Sequence, residues 1–293
     1  MPKPIYLDYN GTTPHDPEVI AAMRPFFEEE FGNPSSSHYY GNKPREAVGR
    51  ARQQVASVLN CRPEEIIFTS GGTESNNFAI KGCSGVFCPK GNHIITTQIE
   101  HPAVVEVCLY LKSIGFDITF LPVDEFGLVS AADVGAAIRD ETILISVMHA
   151  NNEIGTVEPI AQIAQLAKKH DIAFHTDAAQ SVGKIPIDVN QLGVDLLSIA
   201  GHKVYAPKGV GALYIRKGLA PAKFMHGAGQ EMAVRAGTEN VLEIVGLGAA
   251  CEIAGRDLEK NMQHMQTMRD RLHAGLKNNC GPVKLNGHPQ NRL

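Results

Sequence analysis

The sequence lacks the features that mark several large classes of protein. No apolar run approaches the roughly 20 residues of a membrane span. The net charge of −4 provides no excess of positive charge to bind nucleic acid or an anionic membrane surface. The first residues contain neither the apolar core of a signal peptide nor an Arg-rich transit pattern. We therefore expect a cytoplasmic location, or an organelle if a presequence has been removed.

Other absences narrow the chemistry. The six cysteines are scattered and form no Cys-x-x-Cys pair, so no metal site or disulfide framework is expected and the thiols should be reduced. No Gly-Lys-Ser/Thr follows the Gly-Gly turn at 71–72, which argues against a Walker motif and a nucleoside triphosphate. No internal repeat is present. What remains is a chain of 293 residues, long enough for one large domain and part of a second.

Short apolar runs alternate with amphipathic segments along most of this chain. Strands are predicted at 66–70, 94–97, 118–122, 143–148, 172–176, 194–199 and 210–215, with a last strand and turn at 282–288. Helices are predicted from Asp16-Pro17 onward, from about 44 to 59, and at 102–113, 131–139, 160–169, 239–255 and 258–278.

This alternation predicts an α/β fold with a mostly parallel, helix-covered sheet. We expect residues 15–238 to form a large domain. Residues 1–14 and 239–293 would then form the N-terminal segment and an incomplete smaller α/β domain.

Ligands of parallel sheets lie at the carboxyl ends of the strands, so the residues that follow each strand are candidates for a site. Lys203 lies in a turn of small residues between two buried strands, where loss of water would lower its pKa and favour a Schiff base. Gly72 and Thr73 open a helix, and a helix N-terminus attracts phosphate. Asp177 follows a buried strand and would be costly there unless it met a cation.

Each candidate also has a plainer structural interpretation. Lys203 fits an exposed loop, and the Gly-Gly-Thr stretch fits an ordinary strand-to-helix turn. Asp177 and His101 both fit helix capping positions, and the Asn-Asn-Glu-Ile-Gly stretch that contains Asn152 fits a turn. Together, however, a lysine, a buried carboxylate and a phosphate-binding turn are the parts that pyridoxal 5′-phosphate requires. Lysine binds its aldehyde, and the carboxylate keeps its pyridine nitrogen protonated so that the ring is an electron sink.

The same residues fall within motifs of a known family. The chain resembles the cysteine desulfurases and selenocysteine lyases, pyridoxal-phosphate enzymes of the class V aminotransferase group. The matching stretches, in family order, are Tyr6–Thr13, Gly32–Ser36, Phe68–Asn77, Glu100-His101, Asn151–Gly155, His175–Gln180, Gly201–Lys203 and Arg235–Asn240.

The resemblance implies a role for each matching residue. It implies that Lys203 forms the covalent bond to the cofactor and transfers protons, that Asp177 contacts the pyridine nitrogen, and that Gln180 contacts the ring hydroxyl. It implies that His101 stacks on the ring and relays protons, and that Gly72, Thr73 and His202 bind the phosphate. It further implies that Asn152 contacts the cofactor or the substrate carboxylate, and that Thr238 reaches the phosphate of a partner subunit. The resemblance therefore implies a homodimer, an amino-acid substrate and a link to iron–sulfur cluster assembly. A sulfur-acceptor protein would be a further partner.

The sequence departs from the family pattern in three places. Many desulfurases have a serine three residues before the lysine, whereas this chain has Ala200. Some selenocysteine lyases also have an apolar residue at that position. The glycine-rich run reads Gly227-Ala228-Gly229, followed by Met232 where an arginine is common. The sequence stops at Leu293, before the part in which the family carries a nucleophilic cysteine and a substrate-binding arginine; Cys280 does not match that cysteine.

Three functional hypotheses remain from the sequence. The first is a cysteine desulfurase that converts L-cysteine to L-alanine and enzyme-bound sulfur, with weak or absent persulfide-forming turnover. The second is a selenocysteine lyase that releases selenide. The third is a non-catalytic protein that binds the cofactor or dimerises. A transaminase or other lyase is disfavoured because the match extends beyond the cofactor residues.

Overall fold

A computed structural model describes residues 4–293, in which a seven-stranded sheet is covered by helices on both faces. The strands are β1 (Ile66–Thr69), β2 (His93–Thr97), β3 (Asp117–Leu121), β4 (Thr142–Ser146), β5 (Ala173–Asp177), β6 (Leu196–Ala200) and β7 (Gly211–Ile215). The helices are α1 (Pro17–Glu28), α2 (Tyr39–Leu59), α3 (Gly72–Phe87), α4 (Pro102–Ser113), α5 (Ala131–Ala137), α6 (Ile160–Lys169), α7 (Val189–Leu192), α8 (Val241–Arg256) and α9 (Leu258–Asn279).

The strand order is β1-β7-β6-β5-β4-β2-β3. Strands β3, β2, β4, β5 and β6 are parallel, whereas β7 is antiparallel to both of its neighbours. Because β1 pairs with the reversed strand β7, β1 points in the same direction as the parallel strands. The carboxyl ends of β1, β2, β4, β5 and β6 therefore meet at one edge of the sheet, as the α/β prediction requires.

The strands are apolar on both faces because helices cover both. Ile66 and Phe68 of β1 face the core beneath α1, α2, α6 and α8, whereas Ile67 between them faces α3 and α4. The same alternation separates Ile95 from Ile94 in β2. Successive side chains of a strand point to opposite faces, so continuous apolar runs are what a doubly covered sheet needs.

In the described part of the chain, α1, α4, α5 and α7 begin after a residue whose side chain caps the first turn. Asp16 accepts a hydrogen bond from the backbone N–H of Glu18 at 2.8 Å, and Pro17 occupies the first position of α1, as predicted. The predicted start of α2 at Pro44 is wrong, because the helix begins at Tyr39 and contains Pro44. Aromatic packing accounts for the earlier start, since Tyr40 stacks on Phe31 with ring centroids 5.7 Å apart.

The predicted last strand at 282–288 is also wrong. This stretch is irregular, and the pairing nearby is an isolated bridge between Thr156 and Arg292. A strand requires a sheet edge on which to pair, and local propensity does not supply one. The division into a large domain and a smaller one stays a prediction, although α8 packs into the main core through Ile244 and Leu247. Residues 1–3 of the predicted N-terminal segment lie outside the described residues.

Residues 4–293 contain neither a membrane-spanning helix nor a cluster of metal ligands. No helix there is both long enough and apolar enough to cross a membrane. The same residues contain no group of three or more His, Cys, Asp or Glu side chains arranged to hold a metal ion.

Candidate active site

A cavity of about 290 Å³ lies at the carboxyl edge of the strands. Its walls bring together the candidate residues predicted for the cofactor, with Thr238 as the exception. The candidates that line it are Gly72, Thr73, His101, Asn152, Asp177, Gln180, His202 and Lys203. They end or follow five strands, β1, β2, β4, β5 and β6, so the sheet topology accounts for their convergence.

Lys203 ends a single 3₁₀ turn, Gly201–Lys203, that follows β6. Its side chain is half-buried, and the amine donates hydrogen bonds to the backbone carbonyls of Asn10 and Gly11. Burial lowers the pKa of Lys203, while the negative charges of Asp8, Asp177 and Glu153 oppose that shift. The structure therefore supports the predicted partly desolvated amine over an exposed loop lysine.

Asp177 is the last residue of β5, not the first residue after it, and its side chain is buried. Two hydrogen-bond donors of the chain itself contact the buried carboxylate. Asn76 on α3 donates to its Oδ2 at 2.7 Å, and the backbone N–H of Ala179 donates to its Oδ1 at 2.9 Å. Burial raises the pKa of Asp177, and these two donors act against that rise by stabilising the anion.

The turn between β1 and α3 has the geometry expected of a phosphate site. Gly71 adopts φ of +149°, and α3 then begins at Gly72 with its N-terminus toward the cavity. A Cβ on residue 72 would lie 3.1 Å from the Cβ of Ala200, so the turn packs closely on the end of β6. His202 completes this side, and its Nδ1 lies 3.2 Å from Thr12 Oγ1.

We expect Gly71→Ala to reduce stability and cofactor affinity together. A Cβ added to residue 71 would meet no heavy atom within 4 Å, so the cost comes from the backbone conformation and should be about 1–3 kcal/mol. Gly49→Ala is the matched control, because Gly49 is exposed in the interior of α2 and also has nothing within 4 Å of a new Cβ. That change should stabilise the protein by about 0.5–1 kcal/mol. Urea unfolding of both variants measures the difference, and equal effects would contradict it.

His101 both caps a helix and lines the cavity, the two interpretations that the sequence left open. It caps α4, since its ring Nδ1 accepts a hydrogen bond from the backbone N–H of Ala103 at 3.1 Å, and Pro102 follows at the first helical position. The ring also lines the cavity. Because Nδ1 accepts, the ring proton of the neutral form resides on Nε2, the nitrogen that remains for contact with a ligand.

Glu100 supports the residue beside it. One carboxyl oxygen, Oε1, accepts from Thr97 Oγ1 at 2.8 Å and from the backbone N–H of Met148 at 2.9 Å. These contacts join the carboxyl end of β2 to the segment after β4. Burial raises the pKa of Glu100 to about 8, with a further contribution from Asp177 and Glu158.

The raised pKa of Glu100 predicts a specific pH dependence of stability. Its stabilising contribution is complete below the ordinary pKa of 4.5 and is lost as pH rises through about 8. Between about pH 5 and pH 9 we expect the wild type to lose roughly 4 kcal/mol more than Glu100→Gln, which cannot ionise. Urea unfolding at both pH values measures this. Glu125→Gln removes an exposed carboxyl and is the control; parallel losses in all three proteins would contradict the prediction.

Gln180 and Asn152 are linked through the N-terminal segment. Gln180 Nε2 donates to the carbonyl of Asn10 at 3.0 Å, and Asn10 Nδ2 donates to the carbonyl of Asn152 at 3.3 Å. The Asn10 carbonyl is also an acceptor for Lys203. Asn10 therefore contacts three of the predicted site residues.

Thr238 lies apart from these residues. It is exposed and lines a different cavity together with Phe31, Gly32 and Asn33. The segment before it is attached to the phosphate turn by an ion pair between Arg235 and Glu74, with 2.7 Å between Nε and Oε1. The structure thus places Thr238 facing outward, away from the cavity of its own chain.

The cysteines do not contribute a thiol to this cavity. Four of them are wholly or partly buried, and burial raises their thiol pKa to about 12: Cys61, Cys83, Cys108 and Cys251. Cys88 and Cys280 are exposed, and neither lines the cavity around Lys203. That Cys280 is not the nucleophile stays a prediction.

The residues present fit pyridoxal 5′-phosphate. Three groups surround one cavity: a half-buried amine that is a base, a buried carboxylate that is an anion when ionised, and a helix N-terminus that binds anions. Asn76 Oδ1 is also buried without a hydrogen-bond partner in the described part of the chain, so this wall of the cavity has unused polar capacity.

The sequence analysis assigned no role to three contributors, although each lies in a matching stretch: Asn10, Asn76 and Glu100. Asn76 carried a further signal, since it lies three residues after Thr73 and so shares its helix face. Asn10 and Glu100 act through contacts between distant segments, and one sequence does not show which segments meet.

The aminotransferase class-V family model matches residues 5–292. The cysteine desulfurase IscS of Dictyoglomus turgidum is 52% identical over 293 residues, which are 100% of this chain and 74% of that protein. The cysteine desulfurase IscS of Methanosarcina thermophila is 50% identical over 291 residues, covering 99% of this chain and 72% of the relative.

Solved structures agree with these relatives. A NifS-like protein superposes with a TM-score of 0.91 at 42% identity, covering 94% of this chain and 76% of the other. The structure of SspA in complex with cysteine superposes with a TM-score of 0.82 at 47% identity, covering 84% of this chain and 72% of the other. Because the family model matches nearly the whole of this chain, the chain belongs to the class-V aminotransferase family and, within it, to the pyridoxal-phosphate-dependent cysteine desulfurases.

Proposed function

We propose that this chain binds pyridoxal 5′-phosphate in the cavity around Lys203 and acts on the sulfur-bearing amino acid L-cysteine. The observation that carries the proposal is the convergence of Lys203, Asp177 and the Gly72 turn on one cavity at the carboxyl edge of the sheet. When bound, the cofactor supplies an electron sink for negative charge at the substrate α-carbon.

The residues of this chain divide the work of holding the cofactor. Lys203 binds it covalently, and Gly72, Thr73 and His202 hold its phosphate at the N-terminus of α3. Asp177, to which Asn76 and the N–H of Ala179 donate, would lie at the pyridine nitrogen and would favour its protonated form. Gln180 and Asn152 contact the polar substituents of the cofactor or the substrate carboxylate.

Proton transfer falls to two side chains. The Lys203 amine, with a lowered pKa, is suited to take the α-proton from the substrate and return it. His101 offers Nε2 to the cavity because Nδ1 is held by Ala103, so Nε2 is the atom through which this residue relays protons. The half-burial of Lys203 limits competition from water.

Exchange of the substrate α-proton tests this function without requiring a sulfur-accepting thiol. The protein loaded with pyridoxal 5′-phosphate should exchange the α-hydrogen of L-cysteine and L-alanine with deuterium from D₂O, measured by NMR. Formation of alanine from L-cysteine with added dithiothreitol measures the complete reaction, and L-selenocysteine in parallel measures substrate preference. A loaded protein that exchanges neither substrate would contradict the proposal.

We further propose that two copies form a homodimer in which Thr238 reaches the phosphate of the partner subunit. Thr238 is exposed, and so are aromatic side chains near it: Phe31, which lines the same cavity, is 79% exposed, and Tyr40, which stacks on Phe31, is 58% exposed. Apolar surface of this kind is typical of protein–protein contacts. Sedimentation velocity at micromolar concentration tests the dimer. A sulfur-acceptor protein is a further proposed partner, because sulfur removed from cysteine needs an acceptor.

A further inference from the structure

Lys184 lies in the turn after β5, four residues beyond Gln180, and is half-buried. Its amine donates a hydrogen bond to Gln180 Oε1 at 2.6 Å. Burial and the nearby charge of Lys203 lower the pKa of Lys184 to about 8. Both the charged and the neutral amine can donate this hydrogen bond, so the contact persists on either side of that pKa.

This contact decides which end of the Gln180 amide faces which neighbour. A charged lysine amine can only donate and a backbone carbonyl can only accept. With Lys184 at Oε1, Nε2 must face the Asn10 carbonyl, which it meets at 3.0 Å. The two contacts therefore specify one of the two amide orientations.

The opposite orientation is strongly disfavoured at this position. It would set Nε2 against the Lys184 amine and Oε1 against the Asn10 carbonyl, so Gln180 would lose both hydrogen bonds and the Lys184 amine would lose its acceptor. Gln180 is only 4% exposed, so water cannot replace the lost hydrogen bonds. An amide held in the observed orientation has one hydrogen on Nε2 directed to Asn10 and a second one available to the cavity.

We propose that Lys184 is a positioning residue: by holding Gln180 Oε1, it presents the Gln180 Nε2 donor to an oxygen acceptor in the cavity, the ring hydroxyl of the cofactor. This inference rests on the proposed cofactor site. It assigns a function to a lysine that does not line the cavity, and it gives a reason for a second partly buried amine near Lys203.

Two ligands that differ by one oxygen test the inference. Lys184→Met keeps the length of the side chain but cannot donate to Oε1. We expect it to weaken binding of pyridoxal 5′-phosphate by about three- to tenfold, the loss of one oriented hydrogen bond. Binding of 3-deoxypyridoxal 5′-phosphate, which lacks the ring hydroxyl, should not change. Equilibrium dialysis measures both affinities, and Lys217→Met, a change of an exposed lysine at the end of β7, is the control.

Gln180→Leu gives a second, independent variant. It should show the same selective loss for pyridoxal 5′-phosphate, and adding Lys184→Met to it should have no further effect. Equal weakening of both ligands in Lys184→Met, or no weakening, would overturn the inference while leaving the proposed function intact. A wild-type protein that binds neither ligand would contradict the proposed function and the inference together.

Discussion

Lys203→Ala should abolish covalent attachment of the cofactor. The visible absorption band of the loaded protein should disappear, and borohydride reduction should no longer fix the cofactor mass to the chain. Exchange of the substrate α-proton should fall by about a thousandfold, because the variant loses its general base as well as the attachment point. Absorption spectroscopy, mass spectrometry of the reduced protein and NMR exchange measure the three effects.

The structure makes Lys203→Ala a clean variant. The side chain contacts only the Asn10 and Gly11 carbonyls through hydrogen bonds, and these exposed groups can turn to water when it is removed. Lys217→Ala is the control, since it deletes an exposed lysine distant from the cavity. Retention of the visible band in Lys203→Ala would assign the covalent bond to another amine and overturn the proposed site.

Asp177→Asn should leave the cofactor attached but slow α-proton exchange by about a hundredfold or more, the usual cost of removing one preorganised electrostatic group. The buried carboxylate is the anion placed to hold a proton on the pyridine nitrogen. A neutral amide cannot do so, and the electron sink weakens. The exchange rate at saturating cofactor, measured by NMR, reports the change.

The fold should tolerate Asp177→Asn. The new Oδ1 can accept from the N–H of Ala179 as before, and Asn76 can turn its unpartnered Oδ1 toward the new amide. Asp195→Asn is the matched control, because burial also raises the pKa of Asp195, and that residue lies at the opposite end of β6, bonded to Phe174 and Arg216. Equal losses of exchange in both variants would show that the effect is general destabilisation.

Much of the local structure was predictable because it depends on neighbouring residues. Helices α4 and α6 match their predicted bounds, 102–113 and 160–169, since each has a proline near its start and a regular apolar face. The strands were predicted to within about two residues at each end, because continuous apolar runs mark a sheet that is covered on both faces. Predictions failed where hydrophobic periodicity did not decide the outcome: aromatic packing accompanies the early start of α2, and the stretch 282–288 has no sheet edge on which to pair.

The candidate site shows the same division. Residue types and motif order predicted nine candidates, and eight of them line one cavity, since residues after parallel strands gather at one edge of the sheet. The hydrogen bonds among them were not predictable. Asn76 and Asp177 are 101 residues apart, and Lys203 and Asn10 are 193 residues apart. Whether such pairs meet depends on the relative placement of separate elements and on side-chain rotamers.

The sequence by itself determined the α/β class, the family and the candidate residues for the cofactor, because hydrophobic periodicity and residue type are local properties. Only the tertiary structure decided that Asp177 is hydrogen-bonded by Asn76, that Thr238 is exposed outside the cavity, and that the Lys184 amine donates to Gln180. Those outcomes depend on distances of a few ångströms between segments far apart in the chain, and on burial, which removes the water that would otherwise make such contacts unimportant.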